Sequence, residues 1–172
     1  MCRKSFPVAV MTSKVYFERC ITIFATIVAM LLTNHALTGA ALALGVNNLA
    51  IVPPAAFMSH LALDSLPHFG IPGMDFNKMP GTAIGVADCF GAMTAYLTIL
   101  HFFPQHWPII TVGVFFACLP DLFYVPQVLF GVILDKGFRK LHAAVQWSET
   151  PMGLGVDIVW AIAMIRIMQT LH

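Results

Sequence analysis

Two stretches decide the reading: "NHALTGAALALG" at residues 34–45 and "SHLALDSLPHFG" at residues 59–70. Both set histidine in apolar sequence, and the second adds Asp64 four residues after His60. The surroundings explain why this needs a reason. Of 172 residues 59% are hydrophobic and only 10% charged, where a soluble domain carries about 25%. Mean hydropathy is +0.83. Lipid is the expected solvent, and the expected fold class is all-α, a polytopic transmembrane helical bundle.

A spanning helix needs about 20 mostly apolar residues. Five ranges qualify as spans: about 20–45, 49–66, 81–103, 107–130 and 153–171. Asn47–Asn48 and the segment from Phe103 to Trp107 read as short turns. Pro67, Pro72, Gly73, Pro80 and Gly81 make 67–81 a loop. The connection over 131–152 contains "KGFRKLHAAVQW", whose mixture of bases with Phe138, Leu141 and Val145 suits a short interfacial helix. This divides the chain into an N-terminal segment, 1–19, and one helical domain, 20–172.

Lys and Arg are unevenly placed. The N-terminus carries Arg3, Lys4, Lys14 and Arg19, the 67–81 loop Lys78, and the 131–152 connection Lys136, Arg139 and Lys140. With five crossings all three fall on one side, so the positive-inside rule puts the N-terminus in the cytoplasm and the C-terminus outside. The basic start followed by "ITIFATIVAMLL" reads as a signal anchor that stays attached, with Met30 as the rival first residue. The net charge of +1 and the lack of a basic stripe argue against nucleic acid. Cys2, Cys20, Cys89 and Cys118 make neither a CxxC nor a close pair, so disulfide-framework and zinc-finger readings are weak.

At a helical rise of about 1.5 Å per residue, Asp64, Asp88, Asp121 and Asp157 all fall toward the cytoplasmic ends of four spans. A charge within a bilayer costs roughly 2.5–3.5 kcal/mol. The one basic residue in a span, Arg166, lies at the opposite end. A divalent cation with histidine co-ligands neutralises such carboxylates instead, and mixed His/Asp donors suit zinc, manganese or iron. The expected metal ligands are His60, Asp64, Asp88 and Asp121, with His35 and His142 as second choices. His68 and Glu149, at the expected mouth of the site, are the candidate general bases. Plainer readings stand beside these. His35 also fits as a packing residue, Asp64 and Asp121 as cap-like residues near prolines, and Asp88 and Asp157 as helix caps. Ser148 has no evident triad. Gly39, one turn after His35, suits close approach of another helix.

A weak internal repeat pairs "FMSHLALDSLPH" (57–68) with "FFACLPDLFYVP" (115–126), matching Asp64 to Asp121. It also pairs "IGVADCFGA" (84–92) with "LGVDIVWA" (154–161), matching Asp88 to Asp157. Two half-sites of this kind would face one another across a pseudo-symmetry axis.

The order "TNHALTG" (33–39), "SHLALDSLPH" (59–68), "CLPDLF" (118–123) and "LHAAVQWSE" (141–149) resembles the LexA-regulated inner-membrane metal-dependent hydrolase family. His35 and Gly39 match that family's TH-x-x-x-G element. Leu119, Pro120 and Asp121 match its LPD, and His142 and Ser148 its HR-x-x-THS segment. Phe123 replaces the second acid of LPD-x-D, while Ala143 and Trp147 replace the Arg and second His. The resemblance implies a bacterial inner-membrane metal-dependent hydrolase. With the polar residues it gives the expected function: hydrolysis of a phosphoester or related bond in a lipid-like substrate. The expected partners are membrane lipids and either further copies of the chain or a larger membrane complex. The alternative is non-enzymatic: an ion- or proton-coupled transport protein, or an accessory subunit of such a complex.

Overall fold

Small residues organise the fold around its first described helix. The computed structural model describes residues 32–70, 81–123, 136–146 and 149–171. Helix α1, Leu32–Val46, packs against α2 (Val52–Asp64), α3 (Gly81–Phe102), α4 (Trp107–Leu122) and α6 (Gly153–Thr170). Ala36, Ala40 and Ala43 are buried along α1, and Gly39 lies among them. A Cβ at Gly39 would overlap the Gly113 carbonyl of α4, and one at Gly113 would overlap the Gly39 carbonyl. The two backbones therefore cross in contact, as close helix approach requires. Leu37, Ile99, Ile110, Phe103 and Met164 fill the core beside this crossing.

The turns follow from local chemistry. Asn47 takes the left-handed conformation (φ 45°) just after α1, a position asparagine tolerates better than most residues. Its N–H closes the helix on the Ala43 carbonyl. The Asn48 side chain accepts the amide of Ala50 at 2.9 Å. Prolines fall in the first turns of α2 and α4, where their missing N–H costs little. A 3-10 turn, Pro104–His106, joins α3 to α4, and the segments Val86–Phe102 and Pro104–Leu122 meet at 109°.

The 131–152 connection holds a strongly amphipathic helix, α5 (Lys136–Val145), as expected from "KGFRKLHAAVQW". Phe138 on α5 packs on Phe57 and Phe123. One feature was not expected. Two-residue strands β1, His68–Phe69, and β2, Glu149–Thr150, pair in parallel with His68 opposite Glu149 and Phe69 opposite Thr150. The pairing puts the loop after α2 and the connection after α5 at one end of the bundle. A Cβ at Gly153 would collide with the His68 carbonyl, so α6 starts directly against β1.

The all-helical expectation stands: six α-helices account for nearly all regular structure among the described residues. Five single crossings are a different matter. The helical parts of α1, α2 and α4 run 15, 13 and 16 residues, short of the roughly 20 that a bilayer requires. Among the described residues, Gly153–Thr170 is long and apolar enough to cross a membrane. The bent α3–α4 pair makes a second if counted as one span. The outer surface is nevertheless apolar: Phe90 is 70% exposed and Val159 67%. The expected 1–19 segment, the anchor, Met30, Lys78 and Ser148 lie outside the described residues.

Candidate metal centre

Five buried side chains from four helices meet at the end of the bundle where β1 and β2 pair. His35 comes from α1, His60 and Asp64 from α2, Asp121 from α4 and His142 from α5. His60 and Asp64 stand one turn apart, so helical periodicity alone puts them on one face. Asp121 is carried in the last turn of α4, next to Pro120. His142 enters from α5, whose Lys136 and Lys140 remain exposed.

Three imidazole nitrogens converge on the Asp64 carboxylate. Nε2 of His142 lies 2.7 Å and Nε2 of His60 3.2 Å from its Oδ2, while Nε2 of His35 lies 3.2 Å from its Oδ1. The same His60 and His142 nitrogens lie 3.6 and 3.9 Å from Oδ1 of Asp121. They are 3.0 Å from each other. Two three-donor groups result, sharing His60: His35, His60 and Asp64, and His60, Asp121 and His142. Donors about 2.0–2.2 Å from a tetrahedral zinc stand roughly 3.3–3.6 Å apart. The observed separations lie around that value.

Hydrogen bonding around the group favours a cation over protons. His60 Nδ1 donates to the Ala117 carbonyl at 2.7 Å, which leaves Nε2 of the neutral ring with a lone pair facing the carboxylates. An outward Nδ1–H held by a backbone carbonyl is the usual arrangement behind a metal-binding imidazole. Protonating every ring would crowd like charges, because His35 stacks on His60 with centroids 3.9 Å apart and His60 faces His142 at 5.2 Å. Both ring nitrogens of His35, Oδ1 of Asp64 and Oδ2 of Asp121 are buried without a hydrogen-bond partner. Unsatisfied buried polar atoms are rare and point to an ion or water. The donor set fits a divalent cation.

Asp88 lies outside both groups, contrary to the expectation that it ligates. Its carboxylate is taken by the first described turn of α1: it accepts from the amides of Leu32 and Thr33 and, at 2.6 Å, from the Thr33 hydroxyl. The cap-like reading describes it. Asp157 does a matching job from the other side. It accepts from the Asn34 side chain at 3.0 Å and from the Phe69 amide at 2.8 Å. The repeat seen in the sequence therefore has a structural counterpart. Asp64 and Asp121 reach the donor group, whereas Asp88 and Asp157 hold consecutive residues of α1. His60 and Ala117, which also correspond in the repeat, are hydrogen-bonded to each other.

His68 is corrected in position. It does not hang freely at a mouth but is buried in β1, with Nδ1 donating to the Leu66 carbonyl at 2.8 Å. It lies in neither donor group and within electrostatic reach of Asp157. Glu149 is its backbone register partner. Two contributors escaped sequence reasoning. Gln146 donates to Asp64 Oδ2 at 3.3 Å, and its place one turn after His142 on the same helix is the signal that was available. The Ala117 carbonyl, being backbone, left none.

Comparison with protein-family models, curated proteins and solved structures gives no match.

Proposed function

We propose that the chain is a membrane-embedded, metal-dependent hydrolase of a phosphoester or related bond in a lipid-like substrate. The observation that carries this reading is the convergence of three imidazoles on Asp64, with His60 oriented by Ala117. The apolar outer surface and the basic bias of the sequence support placement in a bacterial inner membrane by five crossings with the N-terminus inside. In that arrangement the short helices cross as members of a bundle, with the donor end at the cytoplasmic leaflet.

A divalent ion at this centre lowers the pKa of its water and stabilises charge on the reacting oxygen. His60, His142, Asp64 and Asp121 would hold it, with His35 on the second oxygen of Asp64. Gln146 steadies the Asp64 carboxylate from outside. In hydrolysis the water oxygen bonds to phosphorus, the bond to the lipid oxygen breaks, and a proton must leave the water. His68 is our candidate to take it, since Nδ1 donation to Leu66 makes its Nε2 the basic nitrogen. Glu149, its neighbour across the strand pair, is the second candidate.

The test is phosphate release from phosphatidic acid in mixed micelles. The purified chain is compared with Asp64→Asn under zinc, manganese or iron and after chelation. Metal-dependent release by the wild type alone supports the reading. Equal release by both proteins sinks it.

A further inference from the structure

Helix α3 leans on α1 but meets α4 mainly near their shared turn, which leaves an apolar groove bounded by α1, α3 and α4. Its volume is about 660 Å³, within the roughly 300–1,000 Å³ range of ligand pockets. Along α3 the wall runs from Val86 to Tyr96, about 15 Å of helix at the α-helical rise. That is half of a hydrocarbon core about 30 Å thick, the depth of one leaflet.

The two ends of the groove differ. At one end its lining residues are immediate neighbours of the centre: Ala36 follows His35, Cys118 follows Ala117 and Leu122 follows Asp121. Asp88 and the Thr33 hydroxyl sit beside Leu32 at this same end. The other end is closed by a cross-link between helices. Thr111 donates its proton to the Trp107 carbonyl, so its oxygen accepts from the Tyr96 hydroxyl at 2.8 Å. A cavity of about 700 Å³ on the other flank of α3 lies toward Phe102, Phe103 and Gln169, away from the donors.

We propose that the groove between α1, α3 and α4 holds one hydrocarbon chain of a lipid phosphate, its headgroup toward the His/Asp centre and its chain end toward Tyr96. The inference rests on the membrane hydrolase reading and names its substrate class. A slot one leaflet deep, polar at one end and stopped at the other, matches a lipid chain rather than a soluble metabolite. An apolar peptide helix, about 10 Å across, would need its backbone length continued past the Tyr96–Thr111 cross-link.

The experiment uses the full chain in phosphatidylcholine vesicles containing phosphatidic acid with a photoactivatable diazirine in one acyl chain. Adducts are mapped by mass spectrometry. The expected result is labelling concentrated on 86–96 and 114–122 over the outward residues Val159 and Ile162 of α6, with the groove adducts alone lost under excess unlabelled phosphatidic acid. Met93→Trp and Val114→Trp, which fill the groove without touching the donors, should lose the groove adducts and keep their metal. Even, non-saturable labelling of groove and α6 in the wild type overturns the proposal whether or not the variants fold. Metal content of the same samples reports on the hydrolase reading separately. Saturable groove labelling without metal keeps the groove and removes the centre, and metal with even labelling does the reverse.

Discussion

Nδ1 of His60 stands 2.7 Å from the carbonyl oxygen of Ala117, four residues before Asp121 on the facing helix. That bond decides which nitrogen faces the acids. With Nδ1 donating to α4, Nε2 turns toward Asp64 and Asp121 as an acceptor among acceptors. Such an arrangement is repulsive unless a cation lies between. The backbone of α4 therefore orients an imidazole from α2, while the next turn of α4 delivers the second carboxylate.

Asp64 is the hub of the group, so neutralising it should do the most damage. Asp64→Asn is expected to weaken metal affinity by more than the roughly 10–100-fold typical of losing an outer partner, and Gln146→Ala by no more than that range. Titration of the apo proteins with a chromophoric zinc buffer checks the ranking. Equal affinities for Asp64→Asn and wild type would count against Asp64 as a ligand.

Asp88 and Asp157 are expected to behave differently from Asp64 and Asp121. Each holds the start of α1 by hydrogen bonds. Asp88→Asn and Asp157→Asn should lower stability by about 1–3 kcal/mol, the usual cost of unpairing buried polar groups, while leaving metal content intact. Thermal denaturation beside metal analysis reads both. Loss of metal without loss of stability in Asp88→Asn would restore it as a ligand.

Much of this was legible because helical periodicity is simple. His60 and Asp64, one turn apart, had to share a face, and the common depth of four aspartates placed them at one end of the bundle. The sequence could not say which aspartates turn inward to the centre and which turn toward α1. That depends on helix rotation, fixed by the Gly39–Gly113 contact between residues 74 positions apart. The β1–β2 pair was also hidden, since two-residue strands leave no alternating pattern. His68 consequently read as a mobile loop residue rather than a buried one.

The α1–α4 crossing has no room for a side chain. Gly39→Leu and Gly113→Leu should each separate the helices, and with them His35 from Asp64. Overpacking of a core typically costs about 1–3 kcal/mol, and direct backbone overlap places these variants at or above that range. Both are expected to lose metal and thermal stability together. A stable, metal-loaded Gly39→Leu protein would show that the helices do not cross in contact.

The charge pattern sets the orientation. A reporter active only in the cytoplasm should be silent when fused after His172 and active when fused at the N-terminus. Strong activity at the C-terminal fusion would contradict an odd number of crossings.

The most direct measurement is metal content of the purified chain in detergent, read with its thermal midpoint before and after chelation. A bound ligand at 100 times its dissociation constant stabilises by about 2.7 kcal/mol. The wild type should therefore carry a stoichiometric divalent ion and lose stability when it is removed. His35→Ala and His60→Ala should abolish most of that difference. A wild-type protein that holds no ion, and whose midpoint the chelator leaves unchanged, would contradict the metal centre and reduce the five side chains to a buried hydrogen-bonded cluster.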